Sequence, residues 1–238
     1  MSLNAYRLIK EVNKEFEEGK KIKGYRQYSL RRIFANKYSW AVPCIPIIRI
    51  IGWFFGSSKV MEVGAGTGLW TYLLHEFCGT RIIATDVPSH FNNNMNNHTF
   101  CKIYPDGTPN LVSRLNPDGL FCCWPPYSNS FAYDCLKNFT GNKFVYIGET
   151  DYGCTGDDKF HQLLRDEWVG NRIPIPIDLV NGLEEDIREY IGMGDVIYED
   201  YCINMRSWDD LHDYLFLYVR KNPILKHRSY RDVLLGTN

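Results

Sequence analysis

No stretch of this chain is apolar for long enough to cross a membrane. The longest candidate, Trp40–Phe55, is broken by Pro43, Pro46 and Arg49 and falls short of the roughly 20 apolar residues a bilayer requires. A buried helix beginning near Pro43 is the better reading, and no membrane partner is expected. The chain also lacks a charge excess: 27 basic against 28 acidic residues leave a net charge of −1 over 238 residues. That excludes a polybasic molecule, although local patches remain open. None of the eight cysteines (Cys44, Cys78, Cys101, Cys122, Cys123, Cys135, Cys154, Cys202) forms a C-x-x-C pair, so a zinc ribbon is not expected. The six histidines show no metal-ligand spacing either, and no metal site is predicted. Several cysteines sit inside apolar strand or helix patterns, which reads as reduced core thiols. With a charged, amphipathic start (Leu8, Ile9, Val12 and Phe16 among Lys and Glu) instead of a secretory leader, this points to a cytoplasmic, or nuclear, setting. No repeat or low-complexity linker divides the sequence, so one domain over 1–238 is expected, with residues 1–56 as an N-terminal helical cap.

What the chain does have is alternation. Amphipathic or apolar helices are predicted over 3–19, 25–37 and 43–51, then a strand over 59–63 and a helix over 68–77. A β-branched run, Arg81–Thr85, makes a second strand, and an Asn-rich loop covers 89–98. A weak strand follows near 99–104. Residues 120–124 and 143–147 read as further strands, and 131–138 and 157–168 as helices. The segment 170–198 reads as an insertion, with a helix at 184–190. Residues 196–204 and 214–220 read as late strands joined by a short connection. Alternating strands and helices argue for an α/β fold whose parallel sheet is covered on both faces. The two late strands add an antiparallel pair at one edge.

The run Val60-Met61-Glu62-Val63-Gly64-Ala65-Gly66-Thr67-Gly68-Leu69-Trp70 is the most informative segment. An apolar strand carries an acid near its end, and three glycines follow on alternate positions. Glycine permits a sharp turn and close approach of a ligand, and the helix behind it offers unpaired N–H groups. A dinucleotide fingerprint would need glycine at 69, where Leu69 stands. The pattern E-x-G-x-G-x-G resembles the first motif of the S-adenosylmethionine-dependent methyltransferases with a Rossmann-like fold. That resemblance implies a mostly parallel seven-stranded sheet over 57–238 and S-adenosylmethionine as cofactor. It also implies Glu62 at the methionyl ammonium, backbone of Gly64, Ala65, Gly66 and Gly68 beside the ligand, and Asp86 on the ribose hydroxyls. The region 98–105 is the natural place for the adenine. A purely structural turn with a surface Asp, or a site for another nucleotide, are the competing readings.

A second motif, Phe121-Cys122-Cys123-Trp124-Pro125-Pro126-Tyr127, spans the fourth strand and its turn. The prolines fix a rigid turn, and the aromatic ring can stack on a planar substrate. It resembles the D/N-P-P-Y/F motif of methyltransferases that act on exocyclic amines, including N6-adenine enzymes. Their leading Asp or Asn accepts a hydrogen bond from the amine, whereas Trp124 offers only an N–H donor. Nitrogen is thus the favoured acceptor atom, with the side-chain contact missing. Together with Y-S-W-A-V-P (38–43), Y-I-G-E (146–149) and G-C-T-G-D-D (153–158), the sequence is similar to a poorly characterised family of methyltransferases with W-P-P-Y.

Trp124, Pro125, Pro126, Tyr127 and Glu149 are therefore the candidate chemistry residues. Glu149 either serves the cleft, receiving a proton or orienting an amine, or is a solvated loop carboxylate. Asp157 or Thr155 caps the following helix, or their loop gates substrate. Tyr38, Trp40 and Pro43 form a lid or an aromatic plug. His212 and Asp213 suggest a base with its orienter, or a structural pair. From Lys20 to Lys37 seven basic residues and no acid interleave with Tyr25, Tyr28 and Phe34, and Arg220, Lys221, Lys226, Arg228 and Arg231 follow later. The stretch is either a nucleic-acid contact or a solvated basic face. Three function classes remain open: a methyltransferase with an unidentified acceptor, an RNA or DNA adenine N6-type amine methyltransferase, and a non-catalytic S-adenosylmethionine-binding or scaffold module.

Overall fold

The computed structural model describes residues 2–87, 98–150, 153–170 and 203–222. Three helices come first: α1 (Leu3–Lys20), α2 (Tyr25–Lys37) and α3 (Ile45–Phe55). They are followed by β1 (Lys59–Val63), α4 (Leu69–Cys78), β2 (Arg81–Thr85), β3 (Ile103–Tyr104), α5 (Pro109–Leu115) and β4 (Gly119–Cys123). The rest are α6 (Phe131–Lys137), β5 (Lys143–Gly148), α7 (Asp158–Glu167), β6 (Trp168–Gly170), β7 (Ile203–Asn204) and β8 (Tyr214–Arg220). No described helix is long and apolar enough to cross a membrane.

The sheet runs β3-β2-β1-β4-β5-β8-β6. Strands β1 to β5 are parallel, and β8 is antiparallel to β5. β6 and β7 both pair with β8, at Trp168–Gly170 opposite Arg220–Tyr218 and at Ile203–Asn204 opposite Leu215–Tyr214. With β5 on one side of β8, these two short strands share the other, in line along one edge position. The sheet thus has the seven positions and the antiparallel edge that the sequence predicts. β6 ends at Gly170 and β7 begins at Ile203; the insertion expected at 170–198 lies, but for Gly170, outside the described residues. The predicted helix at 184–190, nearly all of the loop at 89–98 and most of the strand at 196–204 lie outside the described residues.

Period-two alternation sorts the sheet side chains onto two faces. Val60, Phe121, Val145, Ile147, Leu215 and Leu217 pack with α1, α3 and α4. Met61, Val63, Leu120, Cys122, Phe144 and Tyr146 pack with α5, α6 and α7. Both faces are buried, which is why the strands read as near-continuous apolar runs. Glu62, between Met61 and Val63, therefore faces α4.

Three local expectations need correction. The helix placed at 43–51 runs over Ile45–Phe55, with Pro46 in its first turn and Cys44 as N-cap; the first turn tolerates proline because its N–H groups lack helical partners anyway. The helix placed at 157–168 runs over Asp158–Glu167: Asp157 is its N-cap, accepting from Phe160 N–H, and Trp168 opens β6. Helix α5 was not predicted, although Thr108-Pro109 supplies a fitting cap and first-turn proline.

Candidate functional site

The carboxyl ends of parallel strands and the turns after them form the ligand edge of such a sheet. The turn after β1 bends through Gly64, Gly66 and Gly68, whose φ values are +68°, +55° and +74°. Those left-handed values strain any residue with a Cβ. A Cβ on Gly68 would also lie 2.6 Å from Cys101 Sγ and Ile103 Cδ1. Ala65 N–H donates to Thr85 O (3.0 Å), and Phe100 N–H donates to Thr67 O (2.9 Å). The turn is therefore held by β2 on one side and by residues 100–103 on the other. This places part of the region expected near the adenine against the glycine turn.

Glu62 is 1 % exposed. Thr71 donates to its Oε2 from both the backbone N–H (3.1 Å) and the hydroxyl. Both bonds fall on one oxygen, Oε2. Burial pushes the Glu62 carboxyl up to about 8; the Thr71 bonds oppose this, and nearby Asp86 adds to it. Among the described residues no cation pairs with this carboxyl, so no opposite charge offsets the cost of its ionisation there. Asp86 follows β2 directly. Its Oδ2 accepts from Gly66 N–H and its Oδ1 from Val87 N–H, both at 2.7 Å. These two bonds fix its orientation.

The Trp-Pro-Pro-Tyr turn leaves β4 at the same edge. Trp124 has φ +54°, an outlier for a bulky residue that costs about 1–3 kcal/mol. Its N–H donates to Ile147 O (2.8 Å), tying the turn to β5. Its indole Nε1–H donates to Asp213 Oδ1 at 2.5 Å, and its ring stacks on Trp40 with centroids 5.6 Å apart at 20°. The Arg31 guanidinium of α2 lies over Trp40 at 5.4 Å and over Tyr28 at 5.3 Å. Asp213 precedes β8. Because β8 runs antiparallel, its start lies at the carboxyl ends of β4 and β5, which brings Asp213 into the site. Burial pushes the Asp213 carboxyl up to about 7; the Trp124 bond lowers it, the Glu149 charge raises it, and the Arg31 charge lowers it.

Glu149 is buried rather than solvated. It accepts from Cys154 N–H (2.6 Å) and His212 N–H (3.0 Å), one on each oxygen. Burial pushes its carboxyl upward, but these bonds and the Cys154 thiol outweigh it and hold the group below the usual range. Glu149 is thus a fixed anion that tethers the 153–157 loop and the start of β8. Thr155 adds to that tether: its hydroxyl accepts from Glu149 N–H (2.9 Å) and pairs with the Tyr146 hydroxyl (2.5 Å). Ser128 N–H donates to Gly156 O (2.8 Å), joining the Pro-Pro turn to this loop. Beside it a cleft of about 440 Å³ is lined by Tyr127, Ser128, Gly153, Gly156, Lys159 and His161, among others. Tyr127 is 66 % exposed.

Other candidates separate. Tyr38 is a buried plug, stacked on Phe100 with its hydroxyl 3.1 Å from Glu11 and Glu15, and its carbonyl accepts from the Thr67 hydroxyl. Pro43 accepts from Asn13 at 3.1 Å. Trp40 stays partly exposed. Among the described residues no hydrogen bond joins the side chains of His212 and Asp213; Asp213 serves Trp124, so the two do not form a base with its orienter. In the basic stretch, Lys20 and Lys23 pair with Asp209 (2.7 and 2.6 Å), and Lys37 with Glu15 and Glu11. Lys226, Arg228 and Arg231 lie outside the described residues. Sequence reasoning missed Thr71 and Gly107, and read Arg31 only as one of the seven basic residues between Lys20 and Lys37. The backbone of Gly107 donates to Asp86 O (3.0 Å), and a Cβ there would lie 2.6 Å from Asp86 C. Its Pro-Asp-Gly context is a turn signal.

No protein-family model matches this chain, and no curated protein does. Solved structures similar to it include several described as methyltransferases. Human N-acetylserotonin methyltransferase in complex with S-adenosylmethionine is 10 % identical, with 92 % of this chain and 68 % of that chain covered at a TM-score of 0.41. The Burkholderia thailandensis 1,6-didemethyltoxoflavin-N1-methyltransferase, with bound 1,6-didemethyltoxoflavin and S-adenosylhomocysteine, is 17 % identical (84 % and 92 % covered, TM-score 0.40). An O-methyltransferase family protein from the same organism is 9 % identical (93 % and 71 % covered, TM-score 0.39).

Proposed function

We propose that this chain is an S-adenosylmethionine-dependent methyltransferase whose acceptor atom is nitrogen. One observation carries the reading. A turn with three left-handed glycines stands at the sheet's carboxyl edge between two buried carboxylates, Glu62 and Asp86. Glu62 Oε1 would take the methionyl ammonium, which supplies the counter-cation its burial lacks. Asp86, already oriented by Gly66 and Val87, would accept from the ribose hydroxyls. The bound cofactor supplies an electrophilic methyl group. The protein then has to fix geometry and exclude water. Pro125 and Pro126 provide the rigid turn, Tyr127 a stacking face on the cleft, and Glu149 a tether that sets the loop beside it. Nitrogen is favoured by the Pro-Pro-Tyr turn.

The experiment pairs calorimetric titration of S-adenosylmethionine with transfer of labelled methyl into a host-cell extract split into RNA, DNA, protein and small molecules. Binding that Asp86→Ala weakens at least tenfold, with label in one fraction, is the expected result. No binding by the unaltered chain would overturn the reading. A nucleic-acid acceptor is the second reading, supported by α2. Tyr25 and Tyr28 are exposed there and stack on each other at 6.5 Å, and Lys21, Arg26 and Arg32 have no ion pair among the described residues. In that case Lys21, Arg26 and Arg32→Ala together would flatten the salt dependence of RNA or DNA binding.

A further inference from the structure

The cleft between the Pro-Pro-Tyr turn and the start of α7 holds about 440 Å³, a volume typical of small-molecule sites. His161 lines it and is 7 % exposed. Its Nε2 lies 2.8 Å from Thr155 O. A carbonyl oxygen only accepts, so Nε2 carries the ring proton, and Nδ1 of the neutral ring is an acceptor. Among the described residues Nδ1 has no hydrogen-bond partner, and it is not one of the fully enclosed unpartnered atoms. A mostly buried ring thus keeps one acceptor in contact with the space it lines. Asp157 lines the same cleft one helical turn earlier, so the two side chains share a face of α7. Its Oδ1 caps Phe160 N–H (2.9 Å), and its Oδ2 has no partner among the described residues. Asp157, Asp158 and Lys159 set two carboxylates against one ammonium in the lining. Those carboxylates already meet the positive end of the α7 dipole, so the cleft does not suit an anion. Tyr127, from the turn after β4, adds an exposed ring.

We propose that this cleft is the subsite that anchors the acceptor molecule, and that it takes a planar cationic group with several N–H donors, a guanidinium or an amidinium. One N–H donates to His161 Nδ1 and another to Asp157 Oδ2. The planar face lies on the Tyr127 ring, which attracts a flat cation. Asp158 adds an opposite charge at the rim. A primary ammonium would match the charge without the ring contact, and a carboxylate would match neither. That the anchored molecule is the methyl acceptor rests on the methyl-transfer reading above and on the cleft's place beside the Trp-Pro-Pro-Tyr turn; the binding itself does not.

The test follows the ring nitrogens of the six histidines in the full chain, labelled with ¹⁵N-histidine. The His161 signals are assigned by their absence in His161→Gln. The probe is benzamidine at millimolar concentration, with benzoate as the control of the same shape and opposite charge. The expected result is a His161 ring protonated at Nε2, whose Nδ1 signal moves saturably with benzamidine and about fivefold less with benzoate. Binding is also read from the relaxation of benzamidine's own proton signals, which serves the variants. His161→Gln keeps an N–H for Thr155 O and removes the ring acceptor, and should weaken binding about fivefold with the other five histidines in place. Asp157→Asn keeps a capping oxygen and removes the charge, and should weaken it about threefold. No saturable movement, an equal response to benzoate, or undiminished binding in either variant would overturn the subsite. S-adenosylhomocysteine is titrated into the same samples, and a His161 response lost at its saturation would also overturn the subsite, by placing benzamidine in the cofactor site. Cofactor binding without benzamidine binding refutes the subsite alone, and benzamidine binding without cofactor binding refutes the methyl-transfer reading alone.

Discussion

Glu62 makes a prediction in which stability and binding move in opposite directions. Its carboxyl is buried and pushed from about 4.5 to about 8. Between those values the folded chain holds a proton that the unfolded chain gives up, so stability is lost as pH rises from 4.5 through 8. At about 1.4 kcal/mol per pH unit, the cost is about 1 kcal/mol at pH 5 and about 3 kcal/mol at pH 7. Glu62→Gln keeps an oxygen for the two Thr71 donors and removes the ionisation. It should therefore gain up to about 3 kcal/mol at pH 7 and about 1 kcal/mol at pH 5 in urea unfolding. Binding should go the other way. An ammonium group beside Glu62 favours the ionised form, so cofactor binding must expel the proton. For a group titrating near 8, about nine-tenths of a proton leaves at pH 7, and affinity rises about thirtyfold from pH 5.5 to pH 7. Titrating S-adenosylhomocysteine by calorimetry in two buffers of different ionisation enthalpy reads both quantities. Glu62→Gln should bind at least tenfold more weakly at pH 7, with a flat pH response. A pH-independent affinity with no proton release in the unaltered chain, or a Gln variant that binds as tightly, would refute the role of Glu62.

Further predictions concern the frame of the site. Gly68→Ala should lose at least about 1 kcal/mol in urea unfolding, because the position has φ +74° and the new Cβ meets Cys101 and Ile103; unchanged stability would mean the turn is not held there. Asp157→Ala removes the cap on α7 and should cost about 1 kcal/mol by the same measurement, with Asp157→Asn recovering most of it. The buried Lys143 ammonium donates to Phe54 O (2.8 Å) and Phe55 O (3.3 Å) at the end of α3. Lys143→Met should cost about 1–3 kcal/mol by leaving those carbonyls unpaired, read as a lower thermal midpoint; an unchanged midpoint would remove this role.

The sequence by itself determined the layered architecture and one half of the site. Period-two alternation in β5 and β1 is a local property, so strand faces follow from it. The left-handed turn is likewise written in Gly64, Gly66 and Gly68, since only glycine enters those angles without strain. Glu62 and Asp86 could be placed at the ligand edge because each ends a parallel strand next to its partner. The other half depended on contacts between residues far apart in the chain. Trp124 and Asp213 are 89 positions apart, and Arg31 comes from a helix that precedes the sheet. Only the antiparallel direction of β8 brings the start of that strand to the same edge as the ends of β4 and β5. The role of Glu149 was ambiguous for the same reason: its partners Cys154 and His212 are backbone donors on two separate loops, and backbone donors leave no mark in the sequence. Short-range steric rules thus fixed the glycine turn, while the surroundings of Trp124 were decided by strand order and direction.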